Sequence, residues 1–265
     1  MRATIRGHAL RYEVEGSGPP VLLVMGFGMS GEAWLPLVRR LRDRFTLCRY
    51  DARGLGDSTP GDGPHHLRGL ADDAAALLDH LGWDRAHVTG VSMGGMISQH
   101  LALRHRPRVR TLGLLATHGG PGWRCLPERR AIELFVKANT RAGVDRMEVL
   151  RHLLLTDPEH PPAEFDVEQL RSVSRPAPRR VRLRHLASIL RHDTLDRLRG
   201  LHDLPALVLR PDHDVLVPPR CSDALADALP LGRLHPIPDG GHGALVERAD
   251  GIAEALAAFW QEHEA

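Results

Sequence analysis

The 265-residue chain is poor in several residue types, and each scarcity excludes something. Its three cysteines, Cys48, Cys125 and Cys221, stand far apart with no C-x-x-C pair. An odd count at that spacing does not suggest a disulfide framework. Aromatic residues make up only 4% of the chain, which leaves little for stacking on nucleic-acid bases. Lysine is almost missing: Lys137 stands alone among many arginines, which reads as codon bias of the source. Net charge is only +2, so no strong field points to an acidic partner. The opening stretch MRATIRGHALRYEVEGSG has no apolar signal core. No run approaches the roughly 18 apolar residues that span a bilayer. A reducing cytoplasm is the expected location.

What is present is a rhythm. HALRYEVEGSGPP alternates and then turns, as an edge strand or hairpin does. VLLVMGFG is continuously apolar, as a strand buried on both faces is. FTLCRYD, AHVTGV and VRTLGLLAT read as further strands. Helical patterns separate them: a stretch from Ser30 to about Leu41, then Leu67 to a glycine stop at Gly82, then MGGMISQHLALRH before Pro107. This order predicts an α/β fold with a mostly parallel sheet flanked by helices. From His118 to Leu204 the rhythm breaks into helical patterns and proline clusters with no convincing strand. Strands resume at ALVLR and GRLHPIP, and an amphipathic helix closes the chain. The expected organisation is a core in two parts, residues 1–117 and 205–265, with a helical insertion over 118–204.

The stretch VTGVSMGGM places Ser92 between Gly90 and Gly94, where a strand turns into a helix. Small residues are needed there because strand and helix pack closely around a sharp turn that lifts the hydroxyl out of the sheet. A passive turn would look the same, so the pattern carries weight only with partners. A serine needs a base, and the base needs an orienting acid. After the strand ALVLR comes PDHDVLVPP, with Asp212 and Asp214. After the later strand comes DGGHGALVE, with His242 in a Gly-Gly turn. His213 and His235 are the nearest rival bases among 17 histidines.

Four stretches in this order resemble the α/β-hydrolase fold family: MGFG at 25–28, DARGLGDS at 51–58, GVSMGG around Ser92, and the pair DVLVP and GGHGALVE. The resemblance implies a Ser92–Asp214–His242 triad, because members place the acid four residues before the proline, here Pro218. It implies an oxyanion hole built from the backbone N–H groups of Phe27 and Met93. Met25 replaces the histidine common in that loop. Asp51 and Arg53 are expected to be structural. A serine at position 92, in place of a carboxylate, argues against dehalogenase and epoxide hydrolase chemistry.

The expected enzyme is a serine hydrolase that cleaves a small carboxylic ester or lactone through an acyl-enzyme. An acyltransferase or cyclase on the same scaffold is the alternative, and a ligand receptor retaining the site is a third. No cofactor or metal, no nucleic acid and no membrane is expected; the chain would act as a monomer or homodimer on a small molecule. The insertion should be a helical cap, entered through GGPGW at 119–123, with Phe27 and Trp123 as substrate-binding residues. Trp34 suits the pocket or the core equally. Arg171 to Arg191 contains no acid. It reads as a solvated face first and as an anion-binding patch second.

Overall fold

The structure, a computed structural model, describes residues 1–61, 65–140, 145–162, 165–174 and 177–264. Its first strands, β1 (Arg2–Ile5) and β2 (His8–Glu15), form an antiparallel hairpin at one sheet edge. The turn between them uses Arg6 and Gly7, both at positive φ (50° and 83°), as a tight two-residue hairpin turn requires. Then follow β3 (Pro20–Val24), α1 (Leu35–Leu41), β4 (Thr46–Tyr50), α2 (Leu67–His80), β5 (Ala86–Val91), α3 (Met93–Arg104) and β6 (Val109–Leu115). Helices α4 (Arg129–Thr140), α5 (Arg146–Leu154), α6 (Val167–Val173), α7 (Arg179–Leu190) and α8 (Leu195–Leu198) come next. The chain closes with β7 (Pro205–Pro211), α9 (Pro219–Ala228), β8 (Leu231–Ile237), α10 (Ala244–Glu247) and α11 (Ala249–Glu262). Between β6 and β7 the described residues contain no strand.

Among the described residues eight strands form one sheet in the order β1-β2-β4-β3-β5-β6-β7-β8. It is parallel from β4 to β8 and antiparallel at the hairpin end. The apolar run of β3 explains why both faces are covered. Its period-2 alternation sends Leu22 and Val24 into a core shared with α2 and α3. Val21 and Leu23 enter a second core on the opposite face, with Leu37, Leu256 and Trp260 of α1 and α11. β8 tolerates Pro236 because it is the last strand, with one side left unpaired.

The segment Asp51–Ser58 is a tied turn. The buried Asp51 carboxylate accepts from the N–H groups of Gly31 (2.6 Å) and Asp57 (2.8 Å), and Ser58 Oγ donates to the Asp51 carbonyl (2.7 Å). Arg53 pairs with buried Asp73 at 2.8 Å.

One expectation from sequence is corrected. Cys125 and Cys221, 96 residues apart, form a disulfide with their Cα atoms 5.9 Å apart. The topology brings them together: Cys125 lies just past β6, where the chain leaves the sheet, and Cys221 lies in the first turn of α9, after the neighbouring strand β7. Spacing along the chain carried no trace of that. Cys48 remains a free thiol, buried in β4 and pushed up to about 12 by that burial. No described helix is long and apolar enough to cross a membrane.

Candidate active site

Ser92 sits at the carboxyl end of β5 and immediately before α3, with φ 54° and ψ −122°. A non-glycine residue at positive φ is strained, and here three contacts hold it. Its N–H donates to the Leu115 carbonyl (2.9 Å), and its own carbonyl accepts from Met96 N–H (3.2 Å) and the Thr117 hydroxyl (2.7 Å). The flanking glycines are sterically required. A Cβ on Gly94 would stand 2.0 Å from the Val24 carbonyl oxygen, and one on Gly90 would stand 2.3 Å from the Gly94 carbonyl oxygen.

The loops after β7 and β8 complete the arrangement. His242 Nε2 is 3.1 Å from Ser92 Oγ, and His242 Nδ1 is 2.8 Å from Asp214 Oδ2. Asp214 is buried, and its Oδ1 accepts from the N–H groups of Leu216 and Val217, each at 2.8 Å. An ionised carboxylate has no proton to give, so His242 Nδ1 donates to it and Nε2 faces the serine hydroxyl as an acceptor. The rivals lie elsewhere. Asp212 accepts from Arg210 (2.8 Å), exposed His213 is 3.9 Å from Asp239, and His235 stands exposed on β8.

Phe27 follows Gly26, whose position a Cβ would bring to 3.2 Å from Ser92 Cβ. Neither the Phe27 N–H nor the Met93 N–H has an acceptor among the described residues. For Met93 that follows from its place at the first position of α3, where backbone N–H groups have no intrahelical partner. The Phe27 ring lies between Phe135 of α4 (centroids 5.8 Å apart) and His185 of α7 (6.4 Å).

A cavity of about 180 Å³ opens onto Ser92 and His242. Its walls come from the β3–α1 region, from α5 and α6, and from α10. Phe27 lines it and Trp123 does not: Trp123 is 65% exposed, with the Arg124 guanidinium 4.7 Å from its ring. The expectation that Trp123 touches substrate therefore does not hold for this cavity. Gly122 packs against the backbone of Leu190, and the short helical turn Gly122–Arg124 turns the indole outward. Trp34 is fully buried in the core.

Sequence reasoning also missed a buried polar cluster behind the elbow. Gln99 of α3 donates to the His118 carbonyl (3.0 Å) and accepts from Thr194 Oγ1 (2.6 Å). His192 Nε2 lies 3.2 Å from Gln99 Oε1 and 3.1 Å from the His118 carbonyl, so it carries the proton. Burial pushes His118 down to about 4 and His192 well below the ordinary imidazole range. A second buried pair, His65 Nδ1 and His185 Nε2 at 3.2 Å, joins α7 to the loop before α2. Gln99 and His100, polar residues on an otherwise apolar helix, were the available signal for the first cluster. Nothing marked the second.

A parallel sheet with a strained serine at the end of a central strand defines a class. The family model of the α/β hydrolase fold matches residues 19–140. A protein of Azorhizobium caulinodans named "Putative carbamate hydrolase RutD" is 30% identical over 96% of this chain and 95% of its own length. This chain belongs to the α/β hydrolase fold family, and hydrolysis is its class of activity. Among solved structures it is similar to a thermophilic esterase from Thermogutta terrifontis, 27% identical with a TM-score of 0.82, covering 100% of this chain and 99% of that one. It is also similar to the enol-lactonase of Burkholderia xenovorans LB400, 26% identical with a TM-score of 0.84, covering 98% and 100%.

Proposed function

We propose that the protein is a serine hydrolase that opens a small carboxylic ester or lactone through an acyl-enzyme. The observation that carries this reading is the unbroken chain Ser92 Oγ–His242–Asp214, with links of 3.1 and 2.8 Å. His242 Nε2 takes the hydroxyl proton as Ser92 Oγ attacks the carbonyl carbon. The Phe27 and Met93 N–H groups hold the oxyanion, and the start of α3 adds its positive dipole end. The C–O bond to the alcohol breaks, and the alcohol leaves with the proton from His242. Water attacks the acyl-enzyme by the same proton path and releases the acid. Asp214 keeps His242 in the required tautomer and stabilises its cation. Helices α4 to α8 act as a cap that excludes water.

A second reading rests on the carbamate hydrolase name of the relative at 30% identity. A carbamate carbonyl passes through the same oxyanion, so the residues above would serve both substrates. The test is release of p-nitrophenol from p-nitrophenyl acetate and butyrate by the wild type, Ser92→Ala and His242→Ala. Turnover that vanishes in both variants supports the acyl-enzyme. Equal release by Ser92→Ala overturns it, and a burst without turnover moves the assignment to acyl transfer. A carbamate cleaved far better than either ester selects the second reading.

A further inference from the structure

The chemistry proposed above leaves open what kind of acyl group is bound, and the cavity walls address this. Beyond Ser92 and His242, the wall facing the reacting atoms is hydrocarbon and thioether: Met29, Phe135, Leu150, Phe165, Leu170 and Val173 are representative. Among the described residues no arginine or lysine lines it. Asp166 and Gln169 are its further polar side chains; Asp166 is exposed and caps α6 by accepting from Glu168 N–H at 2.9 Å. Arg146 of α5 donates to the Ser174 carbonyl and does not line the cavity. Polar groups are available nearby. A second depression beyond Leu153 and Leu155 is lined by Glu128, Arg130, His152 and Arg248, yet none of these faces Ser92.

Resting on the serine hydrolase reading, we infer that this cavity is an acyl pocket for an uncharged, apolar chain, and that Leu150, Phe165 and Leu170 set that specificity. Two physical arguments lead there. A carboxylate carried into these walls would lose its hydration, find no cation, and meet Asp166 on its way in. The retained group is the acyl group, because the alcohol must leave beside His242 to make room for water. A lining whose side chains, apart from Ser92, His242, Asp166 and Gln169, carry no hydrogen-bonding group suits the part that stays bound while water is admitted elsewhere. The anion-binding reading of Arg171–Arg191 gains nothing from this cavity: Arg171, Arg179, Arg180, Arg184 and Arg191 are exposed, Arg182 is half-buried, and none lines it. Arg175 and Pro176 of that stretch lie outside the described residues.

The test compares kcat/KM for p-nitrophenyl acetate, butyrate and hexanoate with that for the mono-p-nitrophenyl ester of adipic acid, which matches hexanoate in length but carries a carboxylate in place of its terminal methyl. Each buried methylene should raise kcat/KM by about fourfold. The adipate ester should fall more than about tenfold below hexanoate. Leu150→Arg should narrow that gap by supplying a cation, and Leu150→Gln, a milder change that keeps the side-chain size, should flatten the chain-length series. A flat or falling series in the wild type, or an adipate ester that matches hexanoate, overturns the pocket while leaving the nucleophile intact, provided Ser92→Ala is inactive. Turnover that survives Ser92→Ala overturns the hydrolase reading, and the pocket assignment falls with it.

Discussion

Asp214→Asn changes almost no volume, yet its effect can be worked out atom by atom. Asp214 Oδ1 accepts from two backbone N–H groups, Leu216 and Val217, each at 2.8 Å. The asparagine carbonyl oxygen must take that place, because an NH2 group there would set donors against donors. The NH2 then occupies the position of Oδ2, 2.8 Å from His242 Nδ1. The NH2 donor stands closer to Nδ1 than the carbonyl oxygen does, at 2.8 against 3.0 Å, so Nδ1 accepts and the imidazole proton moves to Nε2, pointing at Ser92. The serine loses its proton acceptor while every heavy atom stays near its place. A tautomer reversal of this kind lowers kcat by about 10⁴ in serine hydrolases, or about 5.5 kcal/mol of barrier. Steady-state hydrolysis of p-nitrophenyl butyrate reads it, with thermal unfolding as the control for fold. A loss smaller than about tenfold in a stably folded variant would refute the reasoning. Asp212→Asn should stay near wild type, because Asp212 faces Arg210.

Gly94→Ala should destabilise the fold by about 3 kcal/mol or more, since its Cβ would meet the immobile Val24 carbonyl at 2.0 Å. Gly82→Ala meets nothing within 4 Å but holds φ +67°, so only about 1 kcal/mol should be lost; equal urea-unfolding results for the two would sink the steric account. Reducing Cys125–Cys221, which closes a loop of 96 residues, should lower stability by up to about 4.7 kcal/mol, read from urea midpoints with and without reductant. Buried His100 and His118 are each pushed down to about 4 from the usual 6.5, with desolvation the first cause. Such groups bind protons more readily in the unfolded chain, so stability should be full above about pH 6.5 and drain away as pH falls toward 4. At pH 5 each contributes a loss of about 2 kcal/mol, and an unfolding free energy that is flat from pH 7 to 5 would contradict this.

How legible the molecule is from its sequence depends on what fixes each feature. The elbow is legible because sterics leave few choices at Gly90 and Gly94, and the parallel strands because burial on both faces demands runs such as VLLV. β1 is less so: Arg2–Ile5 is four residues long and sits at an edge, and its partner β2 read equally as a lone edge strand or a hairpin. The acid was ambiguous from residue types alone, since Asp212 and Asp214 occupy one loop. In space they separate: Asp214 meets His242 and two converging backbone N–H groups, whereas Asp212 meets Arg210. Trp123 was misplaced because a tryptophan beside a glycine-rich exit suggests a pocket wall, whereas the turn after Gly120 presents it to solvent. The Cys125–Cys221 link and the His65–His185 pair depend on contacts 96 and 120 residues apart in sequence. No local pattern encodes them.

These facts separate two kinds of information. The proposed reacting groups stand at a strand end or in the loop beyond one, and at the elbow close backbone approach restricts the residue type, so a likeness across the family speaks to the class of reaction. The acyl walls stand mainly on α5 and α6, where many apolar side chains would satisfy the same packing. Substrate choice can therefore drift between relatives while the elbow does not. A carbamate hydrolase name on a relative, an esterase and an enol-lactonase among the structural neighbours are then compatible with one chemistry and different walls. Phe27 is where the two meet: its N–H is one of the two proposed oxyanion donors, and its ring packs between Phe135 of α4 and His185 of α7. In the proposed mechanism a substrate that spread those helices would shift the ring, and with it the main-chain donor beside the developing charge. The helices over the site would thus act on rate as well as on fit.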